Sequence, residues 1–201
     1  MDYETFVNNI KAIVNISDKH NDGWKLITTS ENILFITKAI YRSTHDISND
    51  QQIEDDSNIQ QFESNSINDC ISVTIKWEYN IIYSESYRVP VCYFNSWKCN
   101  GSVLLLEEIW DTLNCKHLSI DLYSMITQTE HPINGMPYFQ LHPCKTSEII
   151  KSFQESSHNL VVSWISSISN YIHLDFEHQI YYNSAKPGVA RAKIHRIFNG
   201  I

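Results

Sequence analysis

The side chains best suited to nucleophilic chemistry in this chain surround Cys144, in residues 141–146 (Leu-His-Pro-Cys-Lys-Thr). His142 lies two residues before the thiol, and Lys145 follows it directly. A thiol attacks as its thiolate, which is a minor species at neutral pH for a cysteine of ordinary pKa. A neighbouring cation and a helix N-terminus both favour that anion. Cys144 is therefore a candidate nucleophile. The alternative is that it is one buried cysteine among the five in the chain.

The elements that would position this thiol can be read from the residues on either side of it. Residues 131–135 (His-Pro-Ile-Asn-Gly) carry two turn signals, and residues 138–141 are aromatic or apolar enough for a short strand. Pro143 ends that strand and disfavours helical geometry at the residue before it. Thr146 or Ser147 is then expected to cap a following helix. The pattern predicts a turn, a strand and then a cysteine at the start of a helix.

The rest of the chain predicts one layered α+β domain. The expected elements are a helix at 2–16, strands at 24–29, 33–41, 70–83 and 88–97, a short helix at 107–113, and helices at 147–156 and 160–172. Strand 88–97 contains Pro90, which indicates an edge position or a bulge. This order of elements predicts an antiparallel meander sheet with helices on one face.

Charge is distributed unevenly along the chain. The net charge is −8, and residues 44–69 contain seven acids and no Lys or Arg. We expect a disordered acidic loop there, or alternatively a docking segment for a basic partner. The remaining 16 acids nearly balance the 15 basic residues, so no nucleic-acid-binding surface is predicted. The expected organisation is a domain at 1–183 followed by a basic tail at 184–201.

Cysteine usage and hydropathy indicate a cytoplasmic protein. The five cysteines are an odd number, no signal sequence is recognisable, and no apolar run reaches the roughly 18 residues that a membrane span needs. Free thiols in a reducing compartment are expected. His131, His142 and Cys144 could be imagined as metal ligands, but no fourth ligand is evident, so no metal site is predicted. The apolar face of the first helix allows at most a peripheral membrane contact.

A set of short motifs spread over residues 3–170 resembles a known family. Around the cysteine these motifs are Thr127-Gln128, Glu130-His131-Pro132, Gly135, Pro137 and Leu141-His142-Pro143-Cys144-Lys145-Thr146. Upstream they are Tyr79, Tyr83-Ser84, Ser86-Tyr87, Val89-Pro90-Val91, Tyr93-Phe94, Gly101, Leu104, Leu106 and Ile109-Trp110, with Asp22-Gly23-Trp24 and Ser163-Trp164 nearer the ends. Together they resemble the autophagy ubiquitin-like-conjugating enzymes, and the resemblance implies a ubiquitin-conjugating-enzyme-like fold.

The resemblance also implies a two-step relay through Cys144, in autophagosome formation. An activating enzyme, autophagy-related protein 7, would hand a ubiquitin-like protein, autophagy-related protein 12, to Cys144 as a thioester. A lysine of autophagy-related protein 5 would then accept it, and no cofactor is implied. One alternative is an enzyme like autophagy-related protein 3, which carries autophagy-related protein 8 to phosphatidylethanolamine. The others are an inactive binding module of the same fold and a cysteine hydrolase that pairs Cys144 with His131 or His142.

The relay needs hydrogen-bond donors for the oxyanion of its tetrahedral intermediate. Ubiquitin-conjugating enzymes usually use the Asn of a His-Pro-Asn stretch, whereas here Cys144 follows His-Pro directly. His142 and Tyr87 are the candidate donors. The alternatives are that His142 is bonded to backbone at a strand end and that Tyr87 is hairpin packing. Asn134 is a weaker candidate, because a turn accounts fully for Asn-Gly.

Overall fold

A six-stranded antiparallel sheet is the centre of the fold. The computed structural model describes residues 1–43, 74–113, 126–174 and Ile180. The strands are β1 (Lys25–Thr28), β2 (Leu34–Ser43), β3 (Thr74–Ser84), β4 (Val89–Lys98), β5 (Ile126–Glu130) and β6 (Pro137–Leu141). They lie in the order β1-β2-β3-β4-β6-β5, and each neighbouring pair is antiparallel.

Helices pack on this sheet. They are α1 (Tyr3–His20), α2 (Leu106–Thr112), α3 (Thr146–Phe153) and α4 (Leu160–Ile168), with single 3-10 turns at Pro143–Lys145 and Ser169–Tyr171. Apolar residues from the sheet and from α1 and α4 form one buried cluster. The predicted α+β architecture is therefore confirmed.

Helix α1 is capped at its N-terminus and buries one apolar face. Asp2 caps α1, because its carboxylate accepts the Thr5 backbone N–H at 2.7 Å. That hydrogen bond lowers the pKa of the Asp2 carboxyl. Phe6, Ile10 and Ile13 recur at helical spacing and are fully buried. The predicted apolar face of α1 thus packs inside the domain.

Alternate side chains along β3 form a second part of the core. Trp77, Tyr79 and Ile81 are buried at every second position and join the same cluster as α1. The Tyr79 hydroxyl donates to the Ile172 carbonyl at 2.6 Å. This bond ties the segment that follows α4 to the sheet.

Two hairpins meet at the centre of the sheet. β3 pairs with β4 from Ile75↔Lys98 to Ser84↔Val89, and β5 pairs with β6. The register between the hairpins consists of Tyr93↔Gln140 and Phe94↔Phe139. This pairing brings the end of β6 towards the turn that joins β3 to β4. β4 lies between β3 and β6, so the predicted edge position of this strand is wrong, although Pro90 itself lies outside the register pairs with β6.

Several predictions need correction or lie outside the described residues. α1 extends to His20 rather than ending at residue 16, and β3 is described from Thr74 onward. Neither Thr146 nor Ser147 caps the helix after the cysteine: its N-cap is Lys145, which makes no side-chain capping bond. The 3-10 turn runs directly into α3, so no separate capping residue is needed. The acidic segment 44–69 and the tail 184–201 lie outside the described residues and stay predictions.

Candidate active site

Cys144 is an exposed, free thiol in the 3-10 turn that follows β6. The structure therefore excludes the alternative of a buried packing residue. Cys92, on the neighbouring strand β4, shows the contrast. It is fully buried, and burial raises the pKa of its thiol far above the ordinary value. Of these two cysteines, Cys144 is the one accessible to a partner.

His142 holds the turn that carries the thiol. Its backbone is extended, and its ring nitrogen Nδ1 accepts the backbone N–H of Cys144 at 3.2 Å. His142 thus acts as the cap of the 3-10 turn, a role that Ser, Asp or Asn more often fills. A neutral imidazole that accepts at Nδ1 carries its proton on Nε2. His142 is therefore bonded to backbone, as the alternative interpretation predicted. This bond uses Nδ1, so Nε2–H remains available as a donor.

Tyr87 comes to the same place from the other hairpin. Its ring meets that of His142 edge-on, with 6.1 Å between ring centroids and 75° between ring planes. The Tyr87 side chain is half exposed, at 51%. The structure therefore brings all three predicted site residues together at the junction of the two hairpins.

The charge beside the thiol is weaker than the sequence indicates. The Lys145 ammonium lies 3.5 Å from the Glu148 carboxylate, and both side chains are about two-thirds exposed or more. An exposed pair of this kind contributes little stability, and the carboxylate partly offsets the cation. The Thr146 backbone N–H is bonded to the Pro143 carbonyl. Free backbone donors near the thiol are therefore fewer than at an open helix start.

His131 is excluded from this site by burial. It is 3% exposed, and its ring packs against Tyr93 and Tyr138 with centroids at 5.4 and 4.6 Å. Burial lowers the pKa of its imidazole, although the Glu78 carboxylate opposes that shift. The Tyr138 hydroxyl donates to Glu78 at 3.0 Å, and burial together with that carboxylate raises the pKa of Tyr138 to about 12.

Asn134 belongs to the same distant turn. Its side-chain oxygen accepts the Met136 backbone N–H at 3.0 Å, which is the turn role expected of Asn-Gly. Between this turn and Cys144 lies β6, five residues long. At about 3.3 Å per residue, the strand separates the turn from the thiol by roughly 17 Å. Neither His131 nor Asn134 is placed to act on Cys144.

Ser84 and Arg88 fix the backbone at Tyr87, and neither residue was predicted from the sequence to do so. The Ser84 hydroxyl oxygen accepts the Tyr87 backbone N–H at 3.3 Å, and the Ser84 carbonyl accepts the Arg88 N–H at 2.7 Å. Arg88 adopts a left-handed backbone, with φ of 55°. A serine at the start of a hairpin loop is a known turn signal and could have indicated the first of these bonds.

Metal-binding clusters and membrane-spanning helices are both absent from residues 1–43, 74–113 and 126–174. In this part of the chain, no group of three or more His, Cys, Asp or Glu side chains could hold a metal ion. No helix there is long and apolar enough to cross a membrane.

Comparison with known proteins identifies the family. Residues 5–179 match the model of the family described as autophagocytosis associated protein, active-site domain. Proteins named ubiquitin-like-conjugating enzyme ATG10 match from Homo sapiens (39% identity over 113 residues, 52% of this chain and 51% of the relative) and from Dictyostelium discoideum (34% over 128 residues, 55% and 56%). The protein of that name from Arabidopsis thaliana is 34% identical over 110 residues, 49% of each chain. The chain thus spans about half the length of the curated relatives it matches.

A solved structure shares the fold. The crystal structure of the autophagic E2 Atg10 superposes with a TM-score of 0.52 at 15% sequence identity, covering 87% of this chain and 98% of that one. At this identity the likeness concerns the fold alone, and it agrees with the conjugating-enzyme-like architecture described above. On the family match over residues 5–179, the chain belongs to the autophagocytosis associated protein, active-site domain family.

Proposed function

We propose that this protein is a ubiquitin-like-conjugating enzyme that carries its cargo as a thioester on Cys144. The observation that supports this most is the exposed thiol at the end of β6, beside His142 and Tyr87, in a chain of this family. The relatives named as ubiquitin-like-conjugating enzymes support the same class of reaction. We place this chemistry in the cytoplasm.

The first step is transfer of the cargo between two thiols. The Cys144 thiolate attacks the thioester carbonyl that joins the cargo to the activating enzyme, and the activating enzyme's cysteine leaves as a thiolate. The number of thioesters is unchanged, so the step needs no oxidant or reductant. An exposed thiol suits this reaction, because the cargo's carbonyl carbon must reach sulfur directly.

The second step forms an isopeptide bond. A neutral lysine amine of the acceptor attacks the Cys144 thioester, and the carbonyl oxygen becomes an oxyanion. The intermediate then collapses, expelling the Cys144 thiolate while the amine loses a proton. The backbone N–H of Cys144 is already bonded to His142 Nδ1, so it is not free for the oxyanion. We assign that role to His142 Nε2–H and the Tyr87 hydroxyl.

We further propose the partners that the family resemblance implies. The cargo is autophagy-related protein 12, the activating enzyme is autophagy-related protein 7, and the acceptor is a lysine of autophagy-related protein 5. The curated relatives that match the chain carry the ATG10 name, which favours this set over the lipid-conjugating alternative.

A cysteine hydrolase is a poorer fit to the same geometry. Such an enzyme needs a histidine that takes the proton of the thiol and a third group that orients the histidine. His131 is buried roughly 17 Å away, and His142 uses Nδ1 to accept a backbone N–H. The positions of both histidines therefore favour group transfer over hydrolysis.

A charging assay tests the proposal. The protein is incubated with the activating enzyme, ATP and each autophagy ubiquitin-like protein in turn, then run on a non-reducing gel. We expect an adduct with autophagy-related protein 12 that thiol reductant removes. An adduct with autophagy-related protein 8 in its place would redirect the assignment to the lipid-conjugating alternative. Absence of an adduct with either cargo would contradict the conjugating-enzyme assignment.

A further inference from the structure

The position of Tyr87 is set by the turn between β3 and β4. Two hydrogen bonds close this turn, both accepted by Ser84: its hydroxyl takes the Tyr87 N–H and its carbonyl takes the Arg88 N–H. The left-handed backbone of Arg88 then returns the chain into β4. A non-glycine residue is uncommon in that conformation, so the surrounding bonds must hold it there.

Side-chain packing alone cannot hold the Tyr87 ring. Tyr87 is 51% exposed, and its ring lies edge-on to that of His142. A half-exposed aromatic ring has few neighbours to restrict its rotamer and is placed mainly by its backbone. Whatever fixes the turn therefore fixes the distance between Tyr87 and the thiol end of β6.

Tyr83 anchors the β3–β4 turn to α1. The Tyr83 hydroxyl donates to the Met1 carbonyl at 2.8 Å. Its ring packs against Tyr3 and Phe6, each with centroids 5.5 Å apart. Tyr83 is 9% exposed and directly precedes Ser84. One residue of β3 thus connects the first turn of α1 to the residue that closes the hairpin.

We propose that Tyr83 and Ser84 are positioning residues for the transfer reaction, which hold Tyr87 beside His142 by fixing the hairpin turn to the start of α1. The proposal rests on the proposed function, because it assigns the placement of one of its oxyanion donors. A displacement of about 1 Å in a group that contacts the transition state can slow a reaction by up to roughly 100-fold. The position of the half-exposed Tyr87 ring therefore affects the rate of transfer.

Conservative variants separate positioning from folding. Tyr83→Phe keeps the ring among Tyr3 and Phe6 but removes the bond to Met1, and Ser84→Ala removes the bond to the Tyr87 N–H. Tyr3→Phe is the matched control: it lies in the same aromatic cluster, but its hydroxyl accepts the Leu34 N–H, away from the hairpin turn. Ser84→Thr retains a hydroxyl and should restore the rate.

The measurement is single-turnover discharge of preloaded protein onto the acceptor at a series of acceptor concentrations. We expect Tyr83→Phe and Ser84→Ala to lower the maximal rate by on the order of tenfold, with unchanged charging and an unchanged acceptor concentration at half-maximal rate. In a Tyr87→Phe background, both substitutions should have no further effect. A purely structural role would slow discharge equally in both backgrounds.

The outcomes distinguish this proposal from the proposed function. If the unmodified protein is not charged on Cys144, the proposed function fails. If it is charged and Tyr87→Phe slows discharge, but Tyr83→Phe and Ser84→Ala discharge at the unmodified rate, the positioning proposal alone is overturned. Unmodified discharge by Tyr87→Phe overturns it as well, since no donor would then need positioning. Slowed discharge by Tyr3→Phe to the same extent would also count against it.

Discussion

The two His-Pro pairs on either side of β6 share one local hydrogen bond and differ in their surroundings. In each, ring nitrogen Nδ1 accepts the backbone N–H two residues later: that of Ile133 at 3.4 Å for His131, and that of Cys144 at 3.2 Å for His142. In each, a neutral ring then carries its proton on Nε2. The same dipeptide therefore makes the same side-chain-to-backbone bond in both places, although the first lies in the loop between β5 and β6 and the second opens a 3-10 turn.

Burial is what separates them. Nε2 of His131 is enclosed, with no hydrogen-bond partner among the described residues, whereas His142 is partly exposed beside Tyr87. The His-Pro dipeptide therefore supplies the Nδ1 hydrogen bond in both places. The packing around each ring decides whether its Nε2–H is accessible to a substrate. The end of β6 that leads to Cys144 is thus a thiol end, and the loop before β6 that contains His131 is its buried end.

The largest effect is expected at the thiol itself. Cys144→Ala should abolish charging, and Cys144→Ser should trap an ester that resists reductant but is cleaved by hydroxylamine. Cys99→Ser is the matched control, because Cys99 is also free and exposed. A non-reducing gel with and without each reagent gives the result. Full charging of Cys144→Ala would show that the nucleophile lies elsewhere.

The next effect is on discharge, at the two donors. Tyr87→Phe and His142→Ala should each slow isopeptide formation by about 10- to 1000-fold, since each removes one proposed oxyanion donor. His142→Asn should retain more activity than His142→Ala, because an amide can accept the Cys144 N–H and still donate. Preloaded protein is mixed with acceptor and the loss of thioester is followed. Unmodified rates for Tyr87→Phe and His142→Ala would transfer the role to groups on the acceptor.

The corresponding substitution at the buried end should affect stability instead. His131→Ala removes a ring packed between Tyr93 and Tyr138, which should lower the free energy of unfolding by about 2–4 kcal/mol. Denaturant unfolding measures this loss. Well below the unfolding temperature, single-turnover discharge should stay within about twofold of the unmodified rate. A large loss of discharge with unchanged stability would reverse the assignment of the two histidines.

The smallest effect is a pH dependence of stability from His131. Its folded-state pKa lies below the ordinary value of 6.5, because burial disfavours the charged ring. The unfolded state therefore binds more protons between these two values, and stability falls as pH decreases through 6.5. The slope contributed is at most about 1.4 kcal/mol per pH unit.

Unfolding midpoints at pH 8, 7, 6 and 5.5 measure this dependence. His131→Gln should flatten the curve below pH 6.5, whereas substitution of the exposed His158 by Gln should leave it unchanged. An unaltered curve in His131→Gln would show that other groups cause the acid sensitivity.

Local patterns were sufficient to predict much of the fold. Helical spacing predicts the burial of Phe6 and Ile10 on α1, and alternation predicts that of Ile75 and Trp77 on β3, and all four side chains are buried. Pro143 ended β6 as expected, because its ring constrains the residue before it. These predictions depend on forces between near neighbours in sequence, which a single sequence records directly.

For the candidate site, the sequence could propose members but not the contacts between them. The sequence could propose Tyr87 and His142, which are 55 residues apart in the chain, yet their approach depends on how two hairpins pair. The burial of His131 depends on Tyr93 from the other hairpin. The sequence left open that His142 bonds to backbone, but it did not identify the Cys144 N–H as the partner, because Ser, Thr, Asp and Asn are the usual capping residues.

The candidate site forms only where β4 pairs with β6, because neither hairpin alone brings Tyr87 to Cys144. Tyr87 belongs to the β3–β4 hairpin, while His142 and Cys144 follow the β5–β6 hairpin; between them stand the register pairs at Tyr93 and Phe94. A local opening confined to this short ladder would leave each hairpin intact and separate donor from thiol. Amide hydrogen exchange at the β4–β6 ladder thus reports the fraction of molecules in which the site exists at all, independently of global unfolding.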